Sequence, residues 1–394
     1  MRRRPFLAGL LPAAFSVHGS ARAVPADAAP AQNPPLGVSH RALRFPADHG
    51  SHPDTHVEWW YVTGWLQSGP ASGKPGATAD AEPRPDFGFQ VTFFRTRTDL
   101  AAESASRFAA RQLVFAHVAL TDLSTGARGG GSLHDQRVAR EGFELARTPA
   151  ASGPQLVRLR DWSLERFAPS GDADAASRLQ VAVRADSFAL SLELQGTQPL
   201  LLQGEAGYSQ KGPDPAEASH YYSEPQLAVR GRVERAGAPT RDVHGRAWLD
   251  HEWSDHYLAG TAVGWDWIGI NLHDGAALMA FRLRRADGSA VWAGGSYRSA
   301  AGALRNFGAG EVRFEPQRRW TSPRTQASYP VDWIVTTPAG RWRVVALQDD
   351  QELDSRNSTG SVYWEGLSAL QTEDGRGVGL GYLELTGYSG QLRL

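Results

Sequence analysis

The densest run of chemically capable residues lies between Gly245 and Trp267, GRAWLDHEWSDHYLAGTAVGWDW. Asp250, His251, Glu252, Asp255, His256 and Asp266 stand there among Trp248, Trp253, Trp265 and Trp267. Carboxyl groups set among large aromatics lose hydration, which raises their pKa and lets them donate a proton near neutrality. Tryptophan faces stabilise a neighbouring cation. Acid-catalysed addition of water to an isolated alkene needs both. The competing reading is a hydrogen-bonded strand pair whose polar groups lock an interface. Asp266 sits between Trp265 and Trp267 on an alternating strand, so it is expected to face away from both, beside Ile268 and Ile270. In that apolar interior it should be a neutral acid, and it is the first choice of proton donor.

A second cluster is His49, His52, Asp54, His56 and Glu58, running into Trp59, Trp60 and Tyr61. If the chain is extended from residue 52, then His52, Asp54, His56 and Glu58 share a face. Such a row could bind a metal, line a cavity with acid/base groups, or merely satisfy a strand entry. His251-Glu252 does not open a zinc-peptidase helix, because position 255 is Asp and the next histidine is His256. The mature protein is therefore expected to hold no metal and no cofactor. Gly207-Tyr208-Ser209-Gln210-Lys211-Gly212 contains neither a phosphate-loop nor a nucleophile-elbow pattern. Lys211 is one of two lysines, with Lys74, in a chain that otherwise uses Arg. With Tyr208, Ser209 and His220-Tyr221-Tyr222 it could form a polar rim, or simply a tight turn.

The chain of 394 residues carries 41 basic and 42 acidic side chains, which gives no electrostatic case for a nucleic-acid or acidic-membrane partner. Cysteine is absent, excluding disulfides, thiol nucleophiles and a lipid-anchored cysteine. Arg2-Arg3-Arg4, the apolar run Phe6 to Val17 and Ala21-Arg22-Ala23 compose an export signal over residues 1–23. Arg3-Arg4-Pro5-Phe6-Leu7 follows the twin-arginine pattern. Removing it leaves 37 basic against 42 acidic residues, a balance of −5. Twelve apolar residues are too few to span a bilayer, so a soluble periplasmic protein without stable membrane insertion is expected. Residues 24–38 read as an Ala/Pro-rich flexible spacer.

The elements that must position these groups are strands. Period-2 alternation runs through Phe87–Phe93, Gln112–Leu120, Leu179–Ala185, Phe188–Leu194, Leu227–Val233, Trp267–Leu272, Ala277–Leu283, Val331–Val335, Trp342–Leu347 and Leu380–Leu385. Asp274-Gly275 and Asp287-Gly288 are hairpin signals between them. Gln67–Asp86 reads as a long hairpin loop or insertion, and Leu100–Arg111 as the best helix. The fold class is all-β with few short helices, as barrels or sandwiches. A boundary is expected near Ala236–Thr240, dividing the chain into units 39–236 and 237–394.

Four motifs in order give a resemblance: His56-Val57-Glu58-Trp59-Trp60-Tyr61-Val62-Thr63-Gly64, Gly207–Gly212, Gly245–Trp253 and Gly264-Trp265-Asp266-Trp267. The chain resembles the carotenoid 1,2-hydratase/AttH family of lipocalin-like proteins over roughly residues 40–394. That resemblance implies two consecutive lipocalin-like antiparallel β-barrels packed together, with the motifs near their junction. It implies cofactor-free hydratases on one side and, on the other, proteins associated with ABC-type export systems. Its hydratases use an aspartate near a His-x-Trp element, which His251-Glu252-Trp253 matches. The leading expectation is a carrier or chaperone for an apolar isoprenoid or acyl ligand. The alternative is a hydro-lyase, and a secreted hydrolase is a minor third. Asp266, His251, Glu252 and Asp250 are the candidate catalytic residues. Trp253, Trp265, Trp267, His56, Glu58, Trp60, Tyr208, Lys211 and Tyr222 are the candidate ligand contacts.

Overall fold

The computed structural model describes residues 38–69, 83–98, 104–124, 132–150, 155–167, 177–256, 258 and 260–390. The export signal, nearly all of the spacer and the middle of the Gln67–Asp86 connection lie outside them. Every alternating segment identified above lies within a strand, or all but its last residue does. Two antiparallel sheets result.

The first sheet runs Ser132–Arg140, Gln112–Asp122, Phe87–Arg97, Val57–Ser68, Arg241–Ser254, Ala218–Arg235, Phe188–Gln195, Arg178–Arg184, Trp162–Phe167, Gln155–Leu159 and Ala146–Arg147. The second runs Leu304–Phe307, Ala290–Arg298, Ala277–Arg284, Gly264–Leu272, Gly377–Leu385, Ser361–Gln371, Gly340–Ala346, Ser328–Thr337 and Arg313–Thr321. Each curls around its own apolar core, one containing Val62, Phe89, Leu190 and Trp253, the other Ile268, Val331, Trp364 and Leu383. This is the all-β, lipocalin-like architecture expected.

Three expectations need correction. The change of sheet falls between Ser254 and Gly264, not at residue 236. Arg241–Ser254 pairs in register with both Val57–Ser68 and Ala218–Arg235, so the turn at 236–240 is a hairpin inside the first sheet. Residues 104–111 contain no helix; a turn at Arg107–Phe108 leads into the Gln112–Asp122 strand. The only helix among the described residues is a single 3-10 turn, Ala47–His49. Residues 51–56 are likewise not extended.

Because side chains alternate, strands with both faces buried feed two layers at once. Trp60, Val62 and Leu249 point into the first core. Tyr61 and Trp248, their chain neighbours, point the other way, into a third layer between the sheets with Tyr221, Trp267, Phe281, Leu367 and Tyr382. Gly269 is required there: a Cβ would lie 2.3 Å from the Trp267 ring and 3.2 Å from that of Trp248. The sheets are latched by Gln226, which sits on a bulge with φ 60°. Its backbone N–H bonds Asn271 Oδ1 at 2.7 Å and its amide donates to the carbonyls of Leu272 and Ala276.

Candidate functional site

One end of the inter-sheet layer opens as a cleft. Trp59 and Tyr61 reach it from Val57–Ser68, and Asp250 and Glu252 from Arg241–Ser254. Trp265 and Trp267 come from Gly264–Leu272, Glu365 from Ser361–Gln371 and Glu384 from Gly377–Leu385. Aromatic walls with a few convergent polar groups are the usual build of a small-molecule site.

Asp250 is fully desolvated and accepts from Ser223 Oγ at 2.6 Å, Trp248 Nε1 at 2.7 Å and Tyr221 Oη at 2.7 Å. Tyr221 in turn accepts from Trp267 Nε1 at 3.2 Å. Burial pushes the Asp250 pKa up to about 7, against the pull of those three donors. Glu365 and Glu384 are cross-strand partners. Burial raises both, Glu384 to about 8 and Glu365 well above the carboxylate range, and the Glu384 charge raises Glu365 further. Two carboxyls directly opposite each other in a dry layer cannot both ionise. Glu252 pairs with Lys211 Nζ at 2.9 Å and accepts from Ser219 Oγ at 2.5 Å. That ammonium lies over the rings of Phe281 and Tyr221, at 4.3 and 4.8 Å. The cleft thus holds proton donors, a carboxylate poised near neutrality and one cation, all against aromatic faces.

Of the residues singled out from sequence, Asp250, Glu252, Lys211, Trp265 and Trp267 meet here. Glu365, Glu384, Tyr61 and Trp59 were missed. Glu365 and Glu384 lie 98 and 117 residues after Trp267, the end of the motif, and carry no local signature of their own.

A different set meets inside the first barrel. Glu58 accepts from His251 Nε2 and His52 Nδ1, each at 2.8 Å, and from Arg95 Nε at 2.9 Å. Tyr222 Oη contacts His49 Nδ1 and His251 Nδ1, and the Trp253 ring stacks on His52 at 3.7 Å. Trp60 lies over His251 at 5.0 Å. Burial alone would raise Glu58; the hydrogen bonds from His251 and His52 outweigh it and hold the carboxylate well below its usual range. Burial pushes His251 down to about 4, leaving a neutral imidazole. His52, Glu58 and His251 offer three ligand atoms within 4.8 Å of one another, the only such group among the described residues. The Arg95 guanidinium already occupies Glu58, so the set fits a hydrogen-bonded network better than a divalent cation. His56 lies in the loop before Val57, its backbone N–H 3.2 Å from Asp255 Oδ1. Tyr208 does not line the cleft; its hydroxyl donates to the Pro215 carbonyl at 2.8 Å and its ring meets His220 edge-on at 6.1 Å.

Asp266 does face away from the tryptophans and is sealed from water. What awaits it is not an apolar void. Arg282 Nε lies 2.6 Å away, Tyr388 Oη 2.8 Å and Arg284 Nε 3.7 Å. Asp266 is thus an ion-paired carboxylate inside the second barrel and does not line the cleft.

The family model for AttH-like proteins matches residues 37–388. A crystal structure of a protein assigned as AttH from Nitrosomonas europaea is 46% identical, covers 90% of this chain and all of its own, and superposes with a TM-score of 0.76. Kievitone hydratase from Nectria haematococca shares the fold at 15% identity, with 89% of this chain and 94% of that chain covered and a TM-score of 0.59. No curated protein matches. The chain belongs to the AttH-like family.

Proposed function

We propose that the inter-sheet cleft binds an apolar, unsaturated isoprenoid or acyl ligand and adds water across its double bond. The observation that carries this is the convergence of carboxyls from both sheets, with Asp250 near 7 and Glu384 near 8, on one aromatic-lined cleft. At neutral pH Glu384, backed by Glu365, is the acid and gives its proton to one alkene carbon. The faces of Trp265 and Trp267 flank the carbocation that forms on the other. Water adds to that carbon, and the Asp250 carboxylate takes the proton the adding water loses. Proton return from Asp250 to Glu384 through solvent restores the starting state. Tyr221, hydrogen-bonded between Trp267 and Asp250, fixes the acceptor. The fold-level likeness to kievitone hydratase is compatible with this chemistry.

The twin-arginine-like signal supports a periplasmic location for this activity. Incubating the mature protein with acyclic isoprenoid alkenes in heavy-oxygen water is the test. Labelled alcohol supports hydration. Binding without product would favour a carrier serving an ABC-type exporter.

A further inference from the structure

The opposite end of the inter-sheet layer opens separately, as a groove where the first sheet meets the mouth of the second barrel. On the Arg241–Ser254 strand, Arg246, Trp248 and Asp250 share a face: Arg246 lines the groove, Asp250 lines the cleft and buried Trp248 stands between. Trp65, cross-strand partner of Arg246, forms one wall, and Tyr297 and Trp342 of the second sheet form the other. Arg246 is half-buried, yet no carboxylate lies within ion-pair distance among the described residues. Among the described residues the one hydrogen-bond contact of its guanidinium is the Gln226 carbonyl at 3.5 Å. Arg376 adds a second guanidinium at the rim. Asp274, the acidic residue of the lining, is engaged by the Ala276 N–H at 2.8 Å.

A desolvated guanidinium without a counterion among the described residues, walled by aromatic rings, is complementary to an oxyanion joined to a hydrocarbon. We propose that this groove is a second binding site, for an amphipathic carboxylate or phosphate monoester, with Arg246 gripping the oxyanion and Trp65 and Trp342 covering the chain. The site does not depend on the chemistry assigned to the cleft.

Calorimetric titration of the mature protein with decanoate, decyl phosphate, decanol and inorganic phosphate tests it. Decanoate and decyl phosphate should bind at least about tenfold tighter than decanol, and Arg246→Gln should bring them to the decanol level, a loss of ~1.4 kcal/mol or more. Arg376→Gln, at the exposed rim, should weaken both about two- to threefold and serves if Arg246→Gln fails to fold. Lys211→Met, which removes the cleft's cation, should leave decanoate affinity within about twofold. Decanol binding as tightly as decanoate, or an Arg246→Gln protein with undiminished affinity, overturns the proposal. So does decanoate binding abolished by Lys211→Met. Inorganic phosphate binding as tightly as decyl phosphate would make the groove a plain anion site and overturn the amphiphile.

Discussion

Glu58 inside the first barrel and Asp250 in the cleft are equally sealed from water, yet their protons behave oppositely. Glu58 meets Arg95, His52 and His251 and is held ionised well below the ordinary carboxylate range. Asp250 meets neutral donors only, and burial carries it to about 7. Burial sets the size of the penalty for charge; the hydrogen bonds from His251 and His52 cancel it at Glu58, and the three donors of Asp250 do not. The two regions are built from alternate residues of the same strands, so one face stores stability and the other is left with groups able to move protons.

Removing the charge from each region should therefore have unlike consequences. Glu58→Gln leaves the Arg95 guanidinium buried without its anion and is expected to cost about 3–5 kcal/mol, read by urea denaturation. A loss below about 1 kcal/mol would mean that the first-barrel network is not a charged one. Asp250→Asn and Glu384→Gln should leave the fold cooperative. Each should lower hydration by about a hundredfold or more, the usual contribution of a positioned acid or base. Should either variant unfold as readily as Glu58→Gln while turnover per folded molecule is unchanged, the cleft carboxyls are struts as well.

The proton affinities themselves give a sharper contrast. The folded pKa of Asp250 lies above its unfolded value of about 3.9, so the native protein holds a proton that the unfolded chain has released. The stability this contributes is full below about pH 4 and is lost as pH rises through about 7. Asp250→Asn removes the dependence. Its stability relative to the parent should rise by an order of 2–4 kcal/mol between about pH 4 and pH 8, measured by denaturation at each pH. Glu58 has the reverse sign: its contribution is present above about pH 4.3 and lost only as the solution becomes strongly acidic. Parallel pH profiles for Asp250→Asn and the parent would remove the desolvation account.

How much of this could be read from the chain is clearest at two cross-strand pairs. The strands and the Asp274-Gly275 turn were legible, and Gly275 has φ 93° as such a turn requires. Counting equally outward from Asp274 puts Asp266 opposite Arg282, the register observed, so the ion pair that holds Asp266 inside the second barrel was latent in the turn. The same count from Asp374 puts Glu365 opposite Leu383. A register shift at Leu370/Gln371 moves it to Glu384, and no residue type announces that shift. Asp250, Glu252, Trp265 and Trp267 were legible as a local motif. Their separation from His251 and Trp253 was not, because alternation assigns faces only once it is known that both faces are buried. Asp266→Asn should now lose about 1–3 kcal/mol of stability, through its bonds to Arg282 and Tyr388, with hydration per folded molecule retained. A hydration rate falling as far as in Glu384→Gln would restore Asp266 as the acid.

The smallest expected effect tests the cleft's internal coupling. The Glu252 charge is one of the contributions that raise Asp250, and Lys211 Nζ sits 2.9 Å from Glu252 Oε1. Glu252→Gln withdraws a like charge from the neighbourhood of Asp250 and leaves the Lys211 ammonium without its anion. Both changes favour the ionised form of Asp250 and so lower its pKa. As the proton acceptor, Asp250 must be ionised to work, and the acidic limb of the pH–rate profile follows its titration. That limb should move to lower pH by up to about one unit, equivalent to at most ~1.4 kcal/mol, with the plateau rate little changed. A shift of the alkaline limb to lower pH instead would make Asp250 the donor rather than the acceptor. An unmoved limb would place the working base outside the reach of Glu252, and the assignment of Asp250 would fall with it.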